Sequence, residues 1–278
     1  MLGAIIGDLI GSSYEVYKDK LSFNSLDDCA FCTGNTVLTI AVGDSLTELK
    51  ARDPEDEIRA SLANYLRFWA KQHPGAGYKW DFYNWAHDDN DAPYDGFQSD
   101  CAARVSAAGW LYKDMFTTRY MARLTAIVTH NHIDGIKGAE ATAAAIFLAR
   151  TGSSKDEIKD YIEKEFGYSL SPSGEKDKEK CKIYGNCEDG VPKAISAFLE
   201  ANSFKETLLN CCLVELGTGL VCSIAGAIAE AYYGVPTPML LQVYKHISKD
   251  QMEVIKRIYN SLDNRKKDSK DTGEKLLN

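Results

Sequence analysis

GTGLVCSIAGAIAEAYYG, residues 217–234, consists largely of glycine, alanine and short apolar side chains. It follows the apolar run Leu208–Leu216 and opens a small-residue helix, predicted over Val221–Tyr233. The same helical spacing recurs on both sides of it. Val37–Leu49 carries apolar residues at helical intervals, and Glu55–Lys71 opens after Asp53-Pro54, read as an N-cap followed by a helix-starting proline. Met115–His130 and the alanine-rich Ile136–Arg150 follow. Ser154 heads a helix at Lys155–Phe166 that begins with Asp156 and Glu157, well placed for the helix dipole. Val191–Ala201, Phe204–Leu216 and Pro238–Ser248 complete the set, and strand-like alternation is nearly absent. Loops are expected at Gln72–Tyr78, Asp88–Cys101 and Ser169–Gly190. These elements predict an all-α fold in a single compact domain over 1–262, with a polar tail at 263–278 that frays.

The 278 residues are 45% hydrophobic and 26% charged, which suits a soluble chain with a substantial core. A net charge of −8 argues against a general binder of nucleic-acid backbones, which needs surplus lysine and arginine. The start, MLGAIIGDLIGSSYE, is short, lacks a basic flank and contains Asp8, so it reads as a buried helix rather than a signal peptide. No run reaches the ~18 apolar residues that crossing a membrane requires. Eight cysteines without a targeting signal point to free thiols in a reducing cytoplasm. Cys29 and Cys32 form a CxxC, but no second close pair at zinc-ligand spacing accompanies it.

Four segments carry a resemblance to a known family. They are Leu2–Glu15, Phe31–Ala41 (FCTGNTVLTIA), Pro93–Gly109 continuing through Thr129–Arg150, and Gly217–Gly234. Their residues, order and spacing resemble the ADP-ribosylglycohydrolase family over about residues 1–240. That resemblance implies a helical fold with an ADP-ribose cleft at one end, where two Mg²⁺ ions sit. It also implies carboxylates in a Thr-Asp-Asp run and in a later Asp-Thr/Ser-Asp pair. Here those runs read Thr33-Gly34-Asn35 and Gly217-Thr218-Gly219, so all four matching carboxylates are replaced.

Mg²⁺ takes oxygen ligands, with carboxylates supplying charge. Thr33, Asn35 and Thr218 offer only neutral oxygens, which do not offset the dehydration of two adjacent dications. The expectation is therefore no metal and no cofactor. The loop before Arg104 departs as well: the resemblance implies a glycine-rich GNGSAMR-like run, whereas the chain reads Gln98-Ser99-Asp100-Cys101-Ala102-Ala103-Arg104. Asp100 puts a negative charge where a diphosphate would lie, which weakens diphosphate binding.

The candidate cleft comprises Thr33, Gly34, Asn35, Ser99, Asp100, Arg104, His130, Gly217, Thr218 and Gly219. Glu15 matches the family's glutamate near the catalytic cleft and is the first candidate for chemistry. Cys32 and Cys101 are candidate nucleophiles of a metal-independent enzyme, with Glu15 as general base. Each has a plainer reading: Asp8 pins a helix, Arg104 pairs with a buried acid, His130 is a hydrogen-bonded core histidine, and the cysteines fill space. Two functions stay open. One is a pseudoenzyme whose cleft binds a nucleotide, an ADP-ribose-like ligand or a protein partner, with no nucleic-acid-backbone or membrane partner. The other is an active hydrolase of ADP-ribosyl or related bonds with an altered mechanism, metal-independent or using a single metal held by Asp27, Asp28 or Asp100.

Overall fold

A computed structural model describes residues 1–17, 30–90, 92–96, 98–170, 187–213 and 218–275, with the backbone alone at 17 and 263–275. In chain order the helices are α1 (Leu2–Tyr17), α2 (Gly34–Glu48), α3 (Glu55–Gln72), α4 (Trp80–His87), α5 (Asp100–Ala103), α6 (Ser106–Leu111) and α7 (Met115–Ile127). They continue with α8 (Ile133–Arg150), α9 (Lys155–Phe166), α10 (Cys187–Glu200), α11 (Phe204–Cys212), α12 (Thr218–Tyr233), α13 (Thr237–His246) and α14 (Lys249–Lys275). No strand occurs among the described residues.

The small-residue helix α12 lies antiparallel along α1, and glycine sets their separation. A Cβ on Gly3 would stand 2.1 Å from the Gly226 carbonyl oxygen, one on Gly7 would stand 2.0 Å from that of Cys222, and one on Gly11 would stand 2.5 Å from that of Thr218. The three glycines fall on one face at four-residue intervals, and their α12 partners repeat at the same interval. The two backbones are in contact, with no side chain between them. At one end of this pair Glu230 accepts hydrogen bonds from the Gly3 amide at 2.8 Å and from the Tyr259 hydroxyl.

Alanine-rich α8 forms the centre. It packs against α5, α6, α7, α9, α10 and α12, and most of its residues are buried. Outer helices are placed by polar ties. Asp44 on α2 accepts from the Trp69 indole at 2.9 Å and pairs with Arg257, which brings α3 and α14 onto α2. Burial pushes the Asp44 carboxyl upward, with Trp69 and Arg257 opposing.

Local signals explain most boundaries. Ser154 and Glu157 form a capping box on α9, which ends at Gly167 with φ 67°. Asp53 does not cap α3. It accepts from the Lys50 amide at 2.7 Å, and Pro54 takes the cap position. The helices α4, α5 and α6 fall where sequence patterning predicts no element, because runs this short carry little periodicity. The α14 backbone is helical through Lys275, beyond the expected boundary at 262. Most of the expected loop at 169–190 lies outside the described residues.

Gly7→Ala is expected to lower unfolding stability by about 3 kcal/mol, the upper end of the range for overpacking, because backbone rather than a mobile side chain blocks the added methyl. Urea denaturation beside an exposed Gly75→Ala control, where an added Cβ meets nothing within 4 Å, measures it.

Candidate binding cleft

Two helix N-termini, those of α2 and α12, meet the C-terminal half of α1. Asp8 is fully buried there and holds the start of α2. Its Oδ1 accepts from Ser12 Oγ at 3.1 Å, Thr33 Oγ1 at 2.6 Å and Asn35 Nδ2 at 3.2 Å. Its Oδ2 accepts from the Thr33 amide at 2.8 Å, the Thr36 amide at 3.2 Å and Thr36 Oγ1 at 2.6 Å. A carboxylate at the positive end of a helix dipole, saturated by donors, is a structural anchor. Thr33 caps α2 as well, its Oγ1 accepting from the Asn35 amide at 3.2 Å.

Glu15 sits one turn after Ser12 with its side chain exposed. Its Oε1 accepts from the Gly219 amide at 3.1 Å, so it lies over the N-terminus of α12. Thr218 is buried in the first turn of that helix. Gly217 lies outside the described residues, as do Asp27, Asp28 and Cys29. A Cβ at Gly219 would meet Ser12 Oγ at 2.9 Å.

The connection between α3 and α4 crosses this end of the molecule. The Gly34 amide donates to the Ala76 carbonyl at 2.6 Å. The Tyr78 ring lies over Gly34, with Cδ1 only 2.8 Å from where a Cβ would be. Any side chain at 34 would compete with that ring. Burial pushes the Tyr78 hydroxyl well above the ordinary phenol value.

The same connection reaches Asp100. Lys79 Nζ stands 2.8 Å from Asp100 Oδ2, so the charge expected to repel a diphosphate is offset. Behind this pair lies a buried basic cluster. Arg104 is wholly buried and does not meet the acid partner that one reading assigned it. Its Nη2 donates to the Thr125 carbonyl at 2.9 Å and to Thr129 Oγ1 at 2.7 Å, while Nε and Nη1 have no hydrogen-bond partner among the described residues. His130 is also fully buried, its Nδ1 2.7 Å from Thr129 Oγ1 and its Nε2 4.0 Å from Asp100 Oδ2. Thr129 Oγ1 accepts a hydrogen bond from Arg104 Nη2, while its own hydroxyl faces His130 Nδ1 and, at 3.5 Å, the Ala126 carbonyl. Burial, with positive Arg104 and Lys79 nearby, holds His130 well below the usual imidazole range. At neutral pH the ring is uncharged. Ser99 is buried at the start of α5, where a Cβ on Gly190 would stand 2.6 Å from its Oγ.

The thiols sit in packed surroundings. Cys32 Sγ points to the His246 carbonyl at 3.5 Å, and burial, with Asp8 nearby, pushes the thiol up to about 12. Cys101 is fully buried and donates to the Gly135 carbonyl at 3.2 Å. Cys187 shares the Gln98 carbonyl with it, at 3.2 Å against 3.6 Å from Cys101. No group of three or more His, Cys, Asp or Glu side chains suited to a metal ion occurs among the described residues.

The structure thus gathers the candidates into two clusters. Thr33, Gly34, Asn35, Thr218, Gly219 and Glu15 meet around Asp8. Ser99, Asp100, Cys101 and Arg104 fall together at α5, where Arg104 and His130 meet at Thr129 and Asp100 faces His130. Lys79 and Tyr78 link the clusters; sequence reasoning counted Tyr78 in a run that fits the family, Pro74-Gly75-Ala76-Gly77-Tyr78, but gave neither residue a role at the site. The signal for Lys79 was position, immediately after that run.

Comparison with known proteins gives three findings. The family model described as ADP-ribosylglycohydrolase matches residues 1–268. The chain is similar to ADP-ribosylhydrolase ARH3 of Mus musculus, 24% identical over 316 aligned positions that cover 84% of this chain and 83% of that one. Among solved structures it is similar to an ADP-ribosylglycohydrolase-related protein complex, with a TM-score of 0.68 at 16% identity, covering 94% of this chain and 97% of that one.

Two expectations follow from the geometry. Asp8→Asn places an amide among six donors and should cost about 3 kcal/mol or more of stability. Urea unfolding measures the loss, and hydrogen exchange at Thr33 and Thr36 should accelerate with it. Cys32, protonated until well above neutral pH, should react with iodoacetamide at pH 8 at least about a hundredfold more slowly in the folded protein than a free thiol does. Mass spectrometry of the labelled peptide reports the rate.

Proposed function

The chain belongs to the ADP-ribosylglycohydrolase family, and from that premise we propose that its cleft binds a nucleotide or ADP-ribose-like ligand, free or carried on a protein, without Mg²⁺-dependent hydrolysis. One observation carries the reading: the polar groups at the two helix N-termini are committed to one another. Asp8 is saturated by six donors, and Glu15 accepts from the Gly219 amide.

The donor set does not suit a pair of Mg²⁺ ions. Positions 33–35 and 218–219 supply hydroxyl, amide and backbone groups with no charge. Asp8 would have to release the start of α2 to serve as a ligand. Glu15 is left as the carboxylate open to solvent in the first cluster, and one carboxylate does not screen two dications. A metal-free route through the thiols has little support: a Cys32 thiol held near 12 is protonated at neutral pH, and Cys101 is buried with its proton directed to a carbonyl.

A ligand still finds favourable chemistry. The Lys79–Asp100 pair presents balanced charge, and neutral His130 with wholly buried Arg104 lies directly behind it. Calorimetric titration with ADP-ribose, ADP and ATP, each in Mg²⁺ and in EDTA, is the test. Binding of at least one of them with equal affinity in both conditions is expected. Alongside it, incubation with ADP-ribosylated arginine and serine peptides should release no ADP-ribose. Fast Mg²⁺-dependent release would overturn the reading.

A further inference from the structure

Helix α4 turns an aromatic face to solvent. Trp80 is 73% exposed and Tyr83 40% exposed. They stack with ring centroids 6.3 Å apart and planes at 14°, and Tyr83 in turn stacks on His87 at 4.2 Å and 27°. Positions 80, 83 and 87 share one helix face, so the three rings form a continuous strip. The chain here is strongly acidic. From Trp80 to Ala103 there are six aspartates and no lysine or arginine. Asp81, Asp88 and Asp89 are exposed. The last two follow directly on the C-terminus of α4, where the helix dipole adds further negative potential.

Exposed π-faces beside carboxylates attract cations that are themselves flat and weakly hydrated, and the guanidinium group is the biological cation of that kind. The opposite side of α4 already binds one. Arg67 from α3 lies over the Trp85 ring at 4.4 Å and donates to the Trp85 and Asn90 carbonyls. A polyphosphate or nucleic-acid strand would stack on the same rings but would meet the aspartates as like charge. A neutral glycan would make no use of them. Arg67, against the opposite side of α4, and Lys79, just before it in the chain, are engaged: Arg67 with those carbonyls and Lys79 with Asp100.

We propose that the Trp80–Tyr83–His87 strip is a docking surface for an arginine-rich peptide segment of a partner protein, whose guanidinium groups stack on the exposed Trp80 ring, held in place by Tyr83 and His87, while the flanking aspartates hold their charge. The strip adjoins the cleft, since Lys79 and Trp80 are consecutive. The proposal does not depend on what the cleft binds.

Fluorescence anisotropy with a labelled arginine–glycine peptide tests it, beside separate titrations of a labelled glutamate–glycine peptide, a neutral oligosaccharide and an oligonucleotide. The arginine peptide should bind, and its affinity should fall about tenfold in Trp80→Ala/Tyr83→Ala, fall comparably in Asp88→Asn/Asp89→Asn, and persist in Trp80→Phe. The exposed positions should leave the melting temperature unchanged, which separates lost docking from lost folding. Equal affinity in the aromatic variant would overturn the proposal, as would binding of the labelled glycan, oligonucleotide or acidic peptide that is lost in Trp80→Ala/Tyr83→Ala. A dimer in sedimentation that dissociates in Trp80→Ala would assign the strip to a second copy of the chain instead.

Discussion

Direct backbone contact between α1 and α12 fixes the rest of the architecture. Gly3, Gly7 and Gly11 let the carbonyls of Gly226, Cys222 and Thr218 come within distances that no Cβ would permit. Two helices locked at that separation act as one rigid element. The lock also sets the register of the polar residues at the end of α1. Asp8 must fall beside the start of α2, and Glu15 beside the start of α12. The cleft is therefore positioned by backbone packing that reaches it at Gly11 and Thr218, and its polar groups complete a geometry already determined.

Much of this was legible in the chain. The small-residue composition of 217–234 and the buried character of the opening segment both identified helices, and Ser154 and Glu157 marked a boundary that holds to the residue. Other boundaries moved because side chains outside the periodic stretch entered the helix: α8 begins at Ile133, capped by His132, and α12 begins at Thr218. Pattern alone does not reveal that the glycines of α1 and α12 face each other, since that depends on register in three dimensions. The short helices α4 to α6 were invisible because four to eight residues hold too few repeats for a period to emerge.

Within the site, residue types were readable but partners were not. Asp100 looked like an isolated charge until Lys79, twenty-one positions earlier in the chain, was found against it. Arg104 looked like half of an ion pair, whereas its Nη2 bonds go to a carbonyl and a hydroxyl. In both cases the sequence states what a side chain can do, and the fold decides which neighbour does it. A buried guanidinium with two nitrogens that find no partner among the described residues, next to an uncharged imidazole, is costly to maintain, and its presence behind the cleft sets this region apart from the well-satisfied cluster around Asp8.

Tyr78 carries a consequence for which residues position 34 accepts. Its ring occupies the volume that a side chain on Gly34 would need. An aspartate placed at position 34 would have to push that ring aside, so the tyrosine acts as a steric filter that keeps this helix start to glycine.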